Sequence, residues 1–199
     1  MRIGLISDTH MPFAGTTLWD EVGPLFQGVD LILHAGDIVH PAVLDRLEAI
    51  APVLAARGNN DFGLDDPRVR DVQILELYGR RLAMLHDTEP EDQSIEQIRR
   101  IYLDGRHADI IVTGHTHFER LDYREGVLQI NPGSASLPHL QSYRLGTVAL
   151  IEWSEAGLEV RIVRLGESPG RPNPGVEYAF SSDAGSAGDS PARTVGGPG

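Results

Sequence analysis

Short apolar runs recur along the first part of the chain, at residues 3–6 (IGLI), 31–33 (LIL), 53–56 (VLAA), 82–85 (LAML) and 110–112 (IIV). Runs of this length, bounded by polar or glycine-containing stretches, predict buried β-strands. Between them, residues 17–26, 41–50 and 91–103 carry apolar positions at helical spacing. They predict helices, the second opened by Pro41, whose fixed φ suits an early helical position. Strand and helix alternating in this way predict an α/β fold.

The pattern then changes. Residues 118–123, 127–130, 147–153 and 158–165 read as strands, and "YREGV" and "SEAGL" supply hairpin turns between them. A further hairpin is predicted between 72–77 and 81–85, across "YGR". A mixed, two-sheet protein fits this better than a wholly parallel one. From Gly166 onward Gly, Pro, Ser and Ala dominate without periodicity, which predicts a folded domain over 1–165 and a disordered tail over 166–199.

Composition narrows the chemistry. With 199 residues, 41% hydrophobic and 23% charged, the chain suits one soluble domain. A formal charge of -12 opposes binding to extended nucleic acid, which calls for a basic stripe. A small anionic substrate stays compatible, because bound cations reverse the sign of a local pocket. There is no cysteine, and all 17 basic residues are arginine. Thiol nucleophiles, thiolate metal sites, Schiff bases and P-loop lysines are therefore excluded. No run reaches the roughly 18 apolar residues of a spanning helix, so a cytoplasmic protein without membrane attachment is expected. The sequence allows a homo-oligomer.

Each early apolar run stops at a potential ligand: Asp8, Asp37, Asn59, His86 and His115. In α/β folds the carboxyl ends of strands share a rim, so groups distant in sequence can meet there. Asp8 and His10 are two residues apart, as are His115 and His117. In extended chain that spacing puts both side chains on one side. Gly36, Gly58 and Gly114 precede three of the ligands and suit close backbone approach. Taken singly, these residues also read as helix caps, turn residues or hydrogen-bonded histidines; Asn59 and Asp61 in particular are ordinary turn residues.

The ordered set "SDTH", "HAGD", "RGNND", "LHD", "TGHTH" and "NPGS" resembles the calcineurin-like metallophosphoesterases, in particular their small bacterial and archaeal phosphodiesterase branch. The resemblance runs from residue 1 to about residue 165. It implies an α/β, four-layer αββα sandwich of two mixed sheets flanked by helices. It also implies one metal ion on Asp8, His10, Asp37 and His117, and a second on Asp37, Asn59, His86 and His115, with Asp37 bridging. Nitrogen and oxygen ligands suit Mn, Fe, Ni, Co or Zn. The implied activity is hydrolysis of a small phosphoester by attack of a metal-bridging hydroxide, with Asp37 and Asn59 in the catalytic machinery and Asn59, Asn60 and Arg57 on the substrate.

Two positions depart from the family pattern. Many members have histidine, and the small branch often cysteine, at Asn60; the histidine is taken to protonate the leaving oxygen. An amide can only hydrogen-bond, so "GNND" reads as metal ligand plus phosphate clamp. Asp87 stands where the branch commonly has glycine, and reads as a surface turn residue before Pro90, or else as a further carboxylate near the second metal or a group crowding the substrate entrance. His34 is expected to be packed beside the site, His40 to begin a helix, and His107 and His139 to face solvent. Arg57 at a strand end also fits an ordinary salt bridge. Two alternatives remain: a phosphomonoesterase, or a non-catalytic protein-binding scaffold, as in the eukaryotic retromer subunit of this fold.

Overall fold

The structure is a computed structural model in which residues 1–11, 19–90, 92–183 and 193–194 are described. The strands are β1 (Arg2–Ile6), β2 (Leu31–His34), β3 (Val53–Ala56), β4 (Val69–Arg70), β5 (Gln73–Leu77), β6 (Arg80–Met84), β7 (Ile110–Val112), β8 (Glu119–Arg124), β9 (Val127–Pro132), β10 (Thr147–Ser154), β11 (Gly157–Arg164), β12 (Tyr178–Asp183) and β13 (Arg193–Thr194). The helices are α1 (Val22–Phe26), α2 (Ala42–Glu48) and α3 (Ile95–Tyr102). Of the predicted helical segments, positions 17, 18 and 91 lie outside the described residues. α3 begins four residues later than position 91 because Ser94 and Gln97 form a reciprocal capping box that sets its start.

Two sheets form, in the strand orders β13-β12-β11-β10-β1-β2-β3-β4 and β5-β6-β7-β9-β8. β1, β2 and β3 run parallel in the large sheet, and β6, β7 and β9 run parallel in the small one. The predicted hairpins join β5 to β6, β8 to β9 and β10 to β11.

Alternation along the strands builds the layers. Ile3, Leu5, Leu33, Ile151 and Trp153 of the large sheet face Leu82, Met84, Ile110, Val112 and Ile130 of the small one in a shared core. On the large sheet's other face, Ile6, Ile32, Val53 and Leu150 pack against Val22 and Phe26 of α1 and Val43, Leu44 and Leu47 of α2. Gly4 admits the Phe26 ring, since a Cβ there would stand 2.9 Å from it. Ala83 and Ile111 pack outward against Ile95 and Ile98 of α3. The result is the four-layer αββα sandwich that the resemblance implies. Strands buried on both faces read as continuous apolar runs, which is why they are visible in sequence.

The expected disorder after Gly166 does not hold over 166–183. β12 extends the large sheet by pairing antiparallel with β11, from Gly157↔Asp183 to Ile162↔Tyr178. Phe180 is buried and stacks on Tyr123 of β8 at 5.9 Å between ring centres. Burial of these aromatic rings and pairing with an open sheet edge offset the ordering entropy that composition alone suggests would prevail. Positions 184–192 and 195–199 of the expected tail lie outside the described residues. Among the described residues, no helix is long and apolar enough to cross a membrane.

Candidate metal centre

The loops following β1, β2 and β3 of one sheet and β6 and β7 of the other meet at one end of the sandwich. They carry Asp8, Asp37, Asn59, His86 and His115, each two or three residues beyond its strand. The chain there is not extended. Asp8, His10, Asp37, His115 and His117 have φ of 52°, 48°, 55°, 70° and 63°, the left-handed region that side chains disfavour. Such conformations cost about 1–3 kcal/mol each and persist only where the surroundings hold them. Asp8 and His10 donate their backbone N–H groups to Gly36 O and Asp37 O, both at 3.0 Å. Ser134 and Ser136 donate hydroxyls to Asp8 O and Thr9 O at 2.7 Å, and Asn131 Nδ2 donates to Gly114 O at 2.7 Å. The "NPGS" segment thus braces the ligand loops.

Asp8, His10 and His117 bring ligand atoms within 4.8 Å of one another, as do Asp8, Asp37 and His86. Asp37 stands between the groups. Its Oδ2 lies 3.5 Å from His10 Nε2 and its Oδ1 3.5 Å from His86 Nε2. Asn59 Oδ1 lies 3.0 Å from both His86 Nε2 and His115 Nδ1. All seven predicted ligands therefore converge. The two-residue spacing of His115 and His117 does not, however, aim them at the same group. His117 turns to Asp8, with 3.5 Å between Nε2 and Oδ1, and His115 turns to Asn59.

Close packing enforces the arrangement. A Cβ on Gly58 would overlap the Asp37 backbone and carboxylate, and one on Gly114 would overlap the Ser7 hydroxyl and stand 2.8 Å from Asp8 Oδ2. Asp61 is the residue that local sequence reading missed. It is 1% exposed and accepts four backbone N–H groups, from Asp37 (3.1 Å), Ile38 (2.8 Å), Val39 (2.7 Å) and Gly58 (2.7 Å). One carboxylate thereby ties the Asp37 loop to the Asn59 loop. Its only sequence signal is the acidic end of "GNND". His34 is packed as expected: Nδ1 accepts from Gly36 N–H at 3.2 Å, which leaves Nε2–H to donate to Thr9 Oγ1 at 3.1 Å.

Burial pushes the Asp8 carboxyl up to about 7, against the opposing pull of His86 and Ser7. Burial likewise pushes His117 down to about 4, lowers His10, and takes His34 down to about 3. For His86 burial is outweighed by the Asp37 hydrogen bond and the Asp8 and Asp37 charges, so it rises to about 9. Burial is outweighed for Asp37 too, by His86 and the Asn60 hydrogen bonds, and its carboxyl is held below the usual range. Two buried carboxyl groups, Asp8 and Asp37, thus stand around His86 in a pocket that favours positive charge. His117 Nδ1 is turned to Leu137 O at 2.8 Å, so the neutral ring offers its Nε2 lone pair, only 3.0 Å from His10 Nε2. Converging lone pairs of nitrogen and oxygen, without thiolate, fit divalent first-row metal ions.

The remaining predicted residues divide. Asn60 does not aim its amide outward: its backbone N–H and Nδ2 donate to Asp37 Oδ1 and Oδ2 at 2.8 and 2.6 Å, because the tight turn folds it back on that carboxylate. Arg57 lines a cleft of about 310 Å³ with Asn59, His86, Asp87 and Tyr102. Its guanidinium bonds Leu64 O at 2.9 Å and Asp71 Oδ1 at 3.3 Å, the salt-bridged alternative. His40 begins α2, its Nδ1 accepting from Ala42 N–H at 3.2 Å, and His107 is exposed beside Asp109. His139 departs from expectation. It stacks on Phe118 and lies 2.8 Å from the carboxylate of Glu119, whose side chain is closed off from solvent, because its own left-handed turn folds the ring inward.

Comparison with known proteins identifies the family. Residues 1–156 match the family model described as "Calcineurin-like phosphoesterase superfamily domain". The chain is 34% identical over 168 residues, 83% of its length and 94% of the relative's, to a probable metallophosphoesterase of Methanothermobacter thermautotrophicus. It is 25% identical over 145 residues, 67% of its length and 83% of the relative's, to a phosphodiesterase of Methanocaldococcus jannaschii. Among solved structures, vacuolar protein sorting 29 of Cryptosporidium parvum superposes with a TM-score of 0.72 at 21% identity, covering 92% of this chain and 96% of that one. Fold and matched sequence together place this chain in the calcineurin-like phosphoesterase superfamily, a family of metal-dependent phosphoesterases.

Proposed function

We propose that the chain is a phosphodiesterase that hydrolyses a small phosphoester at a centre for two divalent metal ions. The observation that carries this is the position of Asp37, with one carboxylate oxygen turned to the His10 and His117 side and the other to the His86 and Asn59 side. Asp8, His10, Asp37 and His117 would hold one ion, and Asp37, Asn59, His86 and His115 the other. Such ions supply hydroxide at neutral pH and neutralise the phosphoryl oxygens.

The chain's own groups do the rest. Asp61 and the "NPGS" segment fix the ligand loops before substrate arrives, so no reorganisation is required during reaction. Asn59 sits at the mouth of the cleft, where its amide can face a phosphate oxygen, and Arg57 lines the same cleft. Asn60 holds both oxygens of Asp37 and has no proton to give, so the leaving oxygen takes its proton from water or departs as an anion.

The test is metal content together with hydrolysis of bis(p-nitrophenyl) phosphate and p-nitrophenyl phosphate, for wild type, Asp37→Ala and His117→Ala. Two ions per chain, with diester cleaved in preference to monoester and activity lost in both variants, is the expected result. A preference for the monoester would make the chain a phosphomonoesterase. Inactivity across Mn, Fe, Ni, Co and Zn would favour the protein-binding role suggested by the vacuolar protein sorting neighbour.

A further inference from the structure

The histidines of the centre differ in what their outer ring nitrogens face. His86 turns Nδ1 to Ala35 O at 2.7 Å, and His117 turns Nδ1 to Leu137 O at 2.8 Å, both backbone carbonyls. His115 is reversed. Its Nδ1 points inward, 3.0 Å from Asn59 Oδ1, and its Nε2 points outward toward two carboxylates. Glu89 Oε1 stands 3.4 Å away and Asp87 Oδ2 3.8 Å away.

We propose that Glu89 and Asp87 are positioning residues for the second metal ion: their carboxylates face the Nε2 side of His115, 3.4 and 3.8 Å away, and so favour the proton there and the Nδ1 lone pair on the metal side. The proposal rests on the two-ion reading above. A carboxylate behind a ligating imidazole fixes the tautomer and the ring plane, and losing such a partner typically weakens metal binding by about 10–100-fold. Asp87 thereby acquires a use, as a second carboxylate beside Glu89 on the Nε2 side of His115. The acids lie on the open side of His115, whose side chain is 27% accessible, whereas that of His117 is only 6% accessible.

The experiment uses the full chain loaded with zinc, wild type beside Asp87→Asn/Glu89→Gln, with Glu96→Gln/Asp104→Asn as a variant that removes the same charge from the outer layer. Calorimetric titration resolves the two ions, and ¹H–¹⁵N spectra of the histidine rings report tautomers. Expected are a second ion bound about 10–100-fold more weakly in the first variant, an unchanged first ion, and a His115 Nε2–H signal that shifts while the Nδ1–H signals of His86 and His117 stay in place. The charge control should bind both ions as wild type does. Second-ion affinity equal to wild type in Asp87→Asn/Glu89→Gln, an equal loss in the charge control, or a zinc-loaded wild type carrying its proton on Nδ1 of His115 would overturn the proposal and leave the two-ion centre intact. Fewer than two zinc ions on wild type would sink the underlying reading and this proposal with it.

Discussion

Replacing Asp61 by Asn perturbs the centre without touching a ligand. The carboxylate receives Ile38 and Val39 N–H on Oδ1, and Asp37 and Gly58 N–H on Oδ2. Asparagine has the same shape, but one oxygen becomes an NH₂ group, so two of the four N–H groups face a donor whichever way the amide turns. Each buried N–H left without an acceptor costs about 1–3 kcal/mol. The two bonds that remain become neutral and lose about half their strength. Allowing for non-additivity, the loss is about 3–5 kcal/mol, a large share of the roughly 5–15 kcal/mol that holds a domain together. Urea unfolding of the chelated protein, followed by circular dichroism, measures it. At a slope of about 2 kcal/mol per M the midpoint falls by about 2 M. A midpoint lowered by less than about 0.3 M at unchanged slope would refute the idea that this one side chain ties the two loops.

Other perturbations separate the remaining parts of the account. Because His86 is raised to about 9 in the metal-free protein, an ion must displace its proton below that pH, so metal affinity should rise about tenfold per pH unit from 7 toward 9; affinity flat over that window in isothermal titrations would contradict the assignment. Gly58→Ala drives a Cβ into Asp37 and should cost about 1–3 kcal/mol and abolish tight binding of both ions, read by calorimetry with thermal melts alongside. With Asn60 unable to donate a proton, aryl diesters should be cleaved far faster than alkyl ones, and Asn60→His should flatten the dependence on leaving-group pKa; a flat series in wild type, with chemistry limiting, speaks against this. Phe180→Ala should lower stability by about 3–5 kcal/mol in urea unfolding, since its ring is buried on β12, whereas an unordered segment would tolerate it without change.

Much of the fold was legible in one dimension. The apolar runs of β1, β2, β3, β6 and β7 are buried almost throughout, so they stand out from the polar residues at the strand ends, such as Arg80 and Arg81 of β6. The ligands follow those runs because an α/β rim places strand ends together. Less was legible where order depends on pairing. β4 has only two residues, and β12 lies in glycine- and proline-rich chain whose composition argues for disorder. The open edge of β11 that recruits β12 is a property of the assembled sheet.

The types and order of the candidate ligands and the absence of cysteine and lysine are given by sequence alone, since residue chemistry does not depend on where the chain goes. Tertiary structure decided the rest: that His115 and His117 part toward different groups, that Asn60 folds back on Asp37, that Arg57 is occupied by Leu64 and Asp71, and that Asp61 clamps two loops. These facts hang on the directions of side chains, some of them in left-handed turns, and on partners whose separation along the chain varies, 3 residues for Asp61 and Gly58 but 56 for His115 and Asn59. Neither is encoded by local periodicity, because the energy that selects them comes from packing between the two sheets.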